Sequence, residues 1–385
     1  MRRDPGLMTA SESSALKAVA AIAAVVFALA AYRSPVHGGA GVLIAGVFFS
    51  ELSLGAMVFM AAQSVAAAGW PTLFRRVPEA MTGFLPVGAA ATAVLVLFAG
   101  KLYPWAAPGA SAWLGDRAWY LSLGAFAAVS AVGWTAWIIF ARKLVGMSRA
   151  QDASGDASVT RRAKLVSAAF LVVFALTFTF CSVDWLMSLE PKWTSTLYPW
   201  YVFAGLFEAA LAAMTVLTIL LHRRGFFPEL NDHHRHNLGK YLFAFTCFWA
   251  YLWFSQYLLI WYSDIPDEVV HFLGRSEGAW RYVFWMNPIA SFAIPFLFFL
   301  PVKRKAAEST LLGGALFILC ARVLDLVILV EPTISARPSL GLAEIAALLA
   351  GAAIFLLAFD RAFASAAPEP AKDPYIEESR HFAGV

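Results

Sequence analysis

The sequence predicts an all-α polytopic membrane protein: about ten transmembrane helices, arranged as two four-helix bundles plus two peripheral helices. Three observations predict it. The 385-residue chain is 60% hydrophobic and only 14% charged, where soluble domains average about 25% charged residues. Mean hydropathy is +0.68. Apolar runs of about 20 residues, long enough to cross a bilayer at about 1.5 Å per residue, recur along the chain.

In order, spans are expected at Ala15–Tyr32, Gly39–Ala68, Ala80–Gly100, Ala118–Ala141, Ala163–Met187, Tyr198–Leu221, Tyr241–Tyr262, Ala279–Leu300, Ser309–Val330 and Leu340–Phe359. The first follows basic residues, but its apolar run is long for a signal peptide, so it reads as an uncleaved helix. The seventh carries no formal charge from Tyr241 to Tyr262, yet keeps Tyr251, Ser255, Gln256 and Tyr262. Lipid cannot satisfy such groups, so they are expected to turn toward protein. Pro288 and Pro295 should kink the eighth span.

The chain then divides into an N-terminal helix (1–38), a first four-helix bundle (39–190), a second (198–330), a last helix (340–363) and a flexible tail (364–385). The tail holds Pro368, Pro370 and Pro374, and Ser148–Thr160 is polar and aperiodic, so both read as mobile. The outer loops Leu102–Trp113 and Glu190–Tyr201 are rich in Trp, Tyr and Pro. They read as an interfacial aromatic belt or as a docking surface for an extramembrane partner.

Lys and Arg set the orientation. Most fall on one side, in Arg2, Arg3 and Lys17, in Arg75 and Arg76, in the loops around Arg149 and Arg224, at Lys303–Lys305 and in the tail. The other side holds only Arg33, Lys101, Arg117, Lys192, Arg275, Arg281 and Arg337. Both termini are expected in the cytoplasm, in a multi-pass protein of a bacterial inner membrane. The basic loops serve topology, and no nucleic-acid partner is expected; the lipid bilayer is. Cys181, Cys247 and Cys320 lie in apolar spans without C-x-x-C spacing. All seven histidines lie in loops, at helix ends or in the tail. No redox cofactor is expected to be held by ligands of this chain.

A faint repeat links the second and sixth spans. At the offset that relates Glu51 to Glu208, Leu54 matches Leu211, Ala56 matches Ala213 and Met57 matches Met214. Duplicated bundles would produce this, and so would chance between apolar helices.

Ionisable groups inside a span cost about 2.5–3.5 kcal/mol each to insert, so each asks for a reason. They are Glu51, Asp184, Glu208, Arg322, Asp325 and Glu344. Arg322 and Asp325 are spaced to pair on one helix. Asp184 and Glu344 fall near the outer boundary and read as solvated helix ends. Glu51 and Glu208 have no basic residue at their depth in their own spans. A lone carboxyl in a dry site takes up a proton rather than stay charged, which fits either a proton relay or a neutral core acid. The run Glu229–Lys240 gathers Asp232, His233, His234 and His236, but in no zinc spacing. It reads instead as a helix start capped by Asn231 or Asp232, and no metal site is expected.

Three runs carry a resemblance: FCSVDWLMSLEPKW (Phe180–Trp193), NDHHRHNLGK (Asn231–Lys240) and FWAYLWFSQYLLIWYSDIP (Phe248–Pro266). They resemble the second, smaller quinone-type membrane component of alternative complex III, a quinol:cytochrome c oxidoreductase. That component belongs to the NrfD/polysulfide-reductase membrane-subunit superfamily. The resemblance implies a respiratory complex that oxidises quinol and reduces cytochrome c or an oxidase. It implies as partners a larger sibling NrfD-like subunit, an iron–sulfur subunit and multihaem cytochrome c subunits. Haem c and the iron–sulfur clusters would reside in those partners, and this chain would not be catalytic alone. A quinol or menaquinol pocket would lie near the outer ends of spans five and seven, drawing on Asp184, Gln256, Tyr257, Tyr262 and Asp264. The competing expectation is a proton path through Glu51, Glu208, Arg322 and Asp325, with Asp184. Two other classes remain: a proton-coupled secondary transporter, and a scaffold subunit without chemistry.

Overall fold

Two helices form the centre, and the others are arranged around them. The computed structural model describes residues 6–384. It is 81% helical, with no strand among the described residues. Ten of the described helices are long and apolar enough to span a membrane. They are α1 (Ala10–Arg33), α2 (Pro35–Val65), α3 (Thr72–Leu102), α4 (Leu123–Ser154), α5 (Ala157–Leu189), α6 (Tyr198–Arg223), α7 (Asp232–Ser263), α8 (Gly278–Phe299), α9 (Glu308–Thr333) and α10 (Leu342–Phe363). The chain is a polytopic α-helical membrane protein.

The first bundle is α2 to α5 and the second is α6 to α9, while α1 and α10 pair on the outside against α2. α2 and α6 are buried along nearly their whole length and pack against each other at the join. Gly55 permits that approach, because a Cβ there would collide with the Ala210 Cβ. The backbone of Met8, just before α1, donates to the Asp360 carboxylate near the end of α10 at 3.0 Å, so the two ends of the chain share one end of the bundle. Arg2 and Arg3, part of the charge argument, lie outside the described residues.

The helices run further than hydropathy indicates. α7 starts at Asp232, where the Asn231 side chain accepts from the backbone of His233 and His234, as a capped helix start should. It stops where Asp264 turns left-handed at φ 46°. Ser148–Thr160 is not a mobile linker. α4 continues to Ser154, Gly155 closes it at φ 68°, and Asp156 caps α5 through the Ser158 backbone.

The tail also departs from expectation: it is packed, not loose. Asp373 pairs with Arg75 at 2.6 Å, and the Ser379 hydroxyl donates to the Trp70 carbonyl at 2.7 Å. Phe382 lies against Trp70 and His234. Composition marked the tail as loose because these contacts are made far away in sequence. The aromatic loops Leu102–Trp113 and Glu190–Tyr201 also turn inward in part. Tyr103 donates to the Trp185 carbonyl and Trp105 to Ser188, while Trp113 and Trp200 stay exposed.

Candidate functional site

Glu51, Arg322 and Asp325 meet near the middle of the bundle. Arg322 on α9 grips the Glu51 carboxylate of α2 with two bonds, Nε–Oε2 at 3.0 Å and Nη2–Oε1 at 2.7 Å. Its Nη1 bonds to Asp325 one turn on. Glu51 is therefore not the lone carboxyl that its own helix suggests; its partner comes from a span far along the chain. The pairing of Arg322 with Asp325 matches the helical spacing. Gly205 of α6 makes room for the guanidinium, since a Cβ there would collide with Arg322 Nη1.

Three further side chains converge on Asp325. The Tyr201 hydroxyl donates to Oδ1. Asn287 Nδ2 donates to Oδ1 at 2.7 Å, and Trp249 Nε1 to Oδ2 at 3.2 Å. Asn287 is aimed by the break in α8. Between Pro288 and Pro295, Ile289–Ala293 forms a π-helical turn, and Ser291 within it donates to the Asn287 amide oxygen at 2.9 Å. The prolines predicted a kink; the structure shows a widened turn, the kind of local break that often accompanies function.

Glu208 lies beside this group. It accepts from Thr246 of α7 at 2.6 Å and lines a narrow crevice with Arg322, Asp325, Trp249 and Ser291. Four of the five residues expected on a proton path are thus brought together. Asp184 is not among them. It lies on α5 in the first bundle, facing Tyr120.

A second charged cluster caps the bundle at the end opposite the termini. Arg275, on the short helix Pro266–Ser276, bonds Glu190 at 3.0 Å and donates to the Ile328 and Leu329 carbonyls of α9 at 3.1 Å each. His271 Nδ1 bonds Glu190 at 2.5 Å, and its ring stacks on Trp193 at 3.9 Å. Burial and the Arg275 charge lower the imidazole to about 4, so it is neutral at neutral pH. Burial raises the Glu190 carboxyl, but Arg275 and His271 outweigh it and bring it down to about 2. With His271 neutral, Arg275 carries the charge pairing at neutral pH. A cavity of about 20 Å³ lies between Tyr201 of the first group and His271 and Arg275 of the second, with Gln256 in its wall. The buried Gln256 Oε1 has no protein partner, and a volume of that order holds one water.

The five residues expected in a quinone pocket are not assembled. Gln256 lines that small cavity, far below the roughly 300 Å³ a ligand pocket needs. Tyr257 stacks flat on Trp253 at 5.7 Å. Tyr262 is 84% exposed and Asp264 caps the helix in the open. A cavity of about 410 Å³ opens at the other end of the molecule, near Gln63, Arg75, Lys164 and Tyr375, and includes none of the five.

Asp184 and Glu344 are not solvated helix ends; they are 4% and 0% exposed. Glu344 accepts from His37 at 2.6 Å, covered by α2, whose Gly41 lets α10 approach closely. Sequence reasoning missed Tyr201, Asn287, Ser291, Glu190 and His271. A polar Asn and Ser flanking proline in an apolar span was the one available signal. No family model matches the sequence, and no curated protein matches it.

Proposed function

We propose that this chain is a membrane subunit of a quinol-oxidising complex, and that its buried carboxylates carry protons between the middle of the bilayer and the end of the bundle opposite the termini. The observation that supports this most is charge balance. One guanidinium, Arg322, faces three carboxyl groups, Glu51, Asp325 and Glu208, in a dry interior. Such a group reaches neutrality only by holding protons. A cluster that holds protons and touches a water-sized cavity can exchange them.

The connection runs through Tyr201. Its hydroxyl donates to Asp325, and the residue lines the cavity that His271 also lines. With Nδ1–H on Glu190, the neutral imidazole presents Nε2 as an acceptor. A proton leaving the cluster would pass by Tyr201 and one water in the cavity to His271 and Glu190, at the bundle end.

The complex itself is inferred from the resemblance of Phe180–Trp193, Asn231–Lys240 and Phe248–Pro266. Quinol oxidation and electron transfer would belong to the larger sibling, the iron–sulfur subunit and the multihaem cytochromes, in a bacterial inner membrane. A proton-coupled transporter is the second reading, favoured by the π-helical break of α8 beside the cluster. Purification from native membranes in mild detergent separates the two. Co-purifying haem c and iron–sulfur polypeptides supports the complex. A colourless chain that stays alone in several mild detergents overturns it and favours the transporter.

A further inference from the structure

Three helix ends meet at one buried point that the proton path does not use. His37 stands in the first turn of α2, Glu331 at the end of α9 and Glu344 in the first turn of α10. One ligand atom from each lies within 4.8 Å of the other two. Glu331 and Glu344 are both 0% exposed. No N–H or hydroxyl group donates to either oxygen of Glu331 or to Glu344 Oε2, so the two carboxyls face each other with no other polar group between them. Buried carboxylate oxygens left unpartnered are costly. Glu331 is worse placed still, because the C-terminal end of a helix is already negative.

We propose that His37, Glu331 and Glu344 bind one divalent transition-metal ion of the zinc class. Two carboxylates and a neutral imidazole around a divalent ion leave no net charge, which suits a low-dielectric setting. Nitrogen and oxygen donors together select zinc or manganese over calcium. Ligands about 2.1 Å from a tetrahedral ion stand about 3.4 Å apart, so the 2.6 Å contact of His37 with Glu344 opens by less than an ångström on binding. The His37 side chain is 32% exposed, which gives the ion its way in. The ion would clamp α2, α9 and α10 at that end of the bundle, independently of any quinol chemistry.

The test uses the full chain in detergent, stripped with a chelator and dialysed against Zn²⁺ or Mn²⁺, with bound metal counted by mass spectrometry and melting followed in parallel. One ion per chain and a higher melting temperature are expected. Glu331→Gln and His37→Ala should each weaken binding by more than about ten-fold. If Glu331→Gln does not fold, His37→Ala, at the accessible rim, decides alone. No stoichiometric ion in the unaltered chain, or equal binding in the variants, overturns the proposal and leaves a proton shared by the two carboxyls.

Discussion

Arg322 is the residue on which the interior depends. It satisfies Glu51 and Asp325 together, and removing it leaves both carboxylates buried without a cation. Breaking a buried pair in this way costs about 3–5 kcal/mol. Arg322→Met should lower the melting temperature far more than Glu51→Gln, which keeps the shape and most hydrogen bonds; thermal melts in detergent compare them. His271 makes a prediction in pH. Its folded value of about 4 lies below the ordinary 6.5, so the folded state favours the neutral ring. The contribution to stability is complete above 6.5 and is lost as pH falls toward 4. Glu190, lowered from 4.5 to about 2, loses its share below that, between 4.5 and 2. Stability measured from pH 7 to pH 4 should therefore fall, and His271→Gln should flatten that slope. An unchanged slope would mean that His271 is not the group titrating.

At the scale of elements, close helix approach is what places these side chains. Gly205 lies under the Arg322 guanidinium, where a Cβ would collide with Nη1. Gly205→Ala should push Arg322 off Glu51 and cost about 1–3 kcal/mol, the range for overpacked cores. Melting temperature checks it, and a change at Gly124, which has open space around it, is the control. The elements themselves were legible in the sequence because hydropathy and proline act locally. All ten spans appear, and Pro288 and Pro295 flank the irregular turn. The Arg322–Asp325 pair was legible because both residues lie on one helix. Glu51's partner was not, since helical spacing carries no information about which distant helix packs beside it. The same reason hid the contacts of Asp373, Ser379 and Phe382, so a packed tail read as a loose one.

At the scale of the molecule, α2 and α6 are the matched helices of the faint repeat, and they form the buried join between the bundles. Arg322 grips Glu51 of the first bundle and lines a crevice with Glu208 of the second. The two glutamates are held differently: Glu51 by a guanidinium, while Glu208 accepts only from a hydroxyl, Thr246, among its observed bonds. The tail closes the terminal end over Arg75 and Trp70. Truncation after Ala364 should therefore destabilise the first bundle, read as a lower melting temperature and faster proteolysis near Trp70. The mid-membrane carboxylates are proposed to move protons. The most direct measurement is quinol-driven proton release from the proposed quinol-oxidising complex in proteoliposomes, comparing the unaltered chain with Glu51→Gln and Glu208→Gln. Release per electron that drops in at least one variant, while the complex stays assembled, is the predicted result. Unchanged release in both would contradict it and reduce the cluster to a packing device.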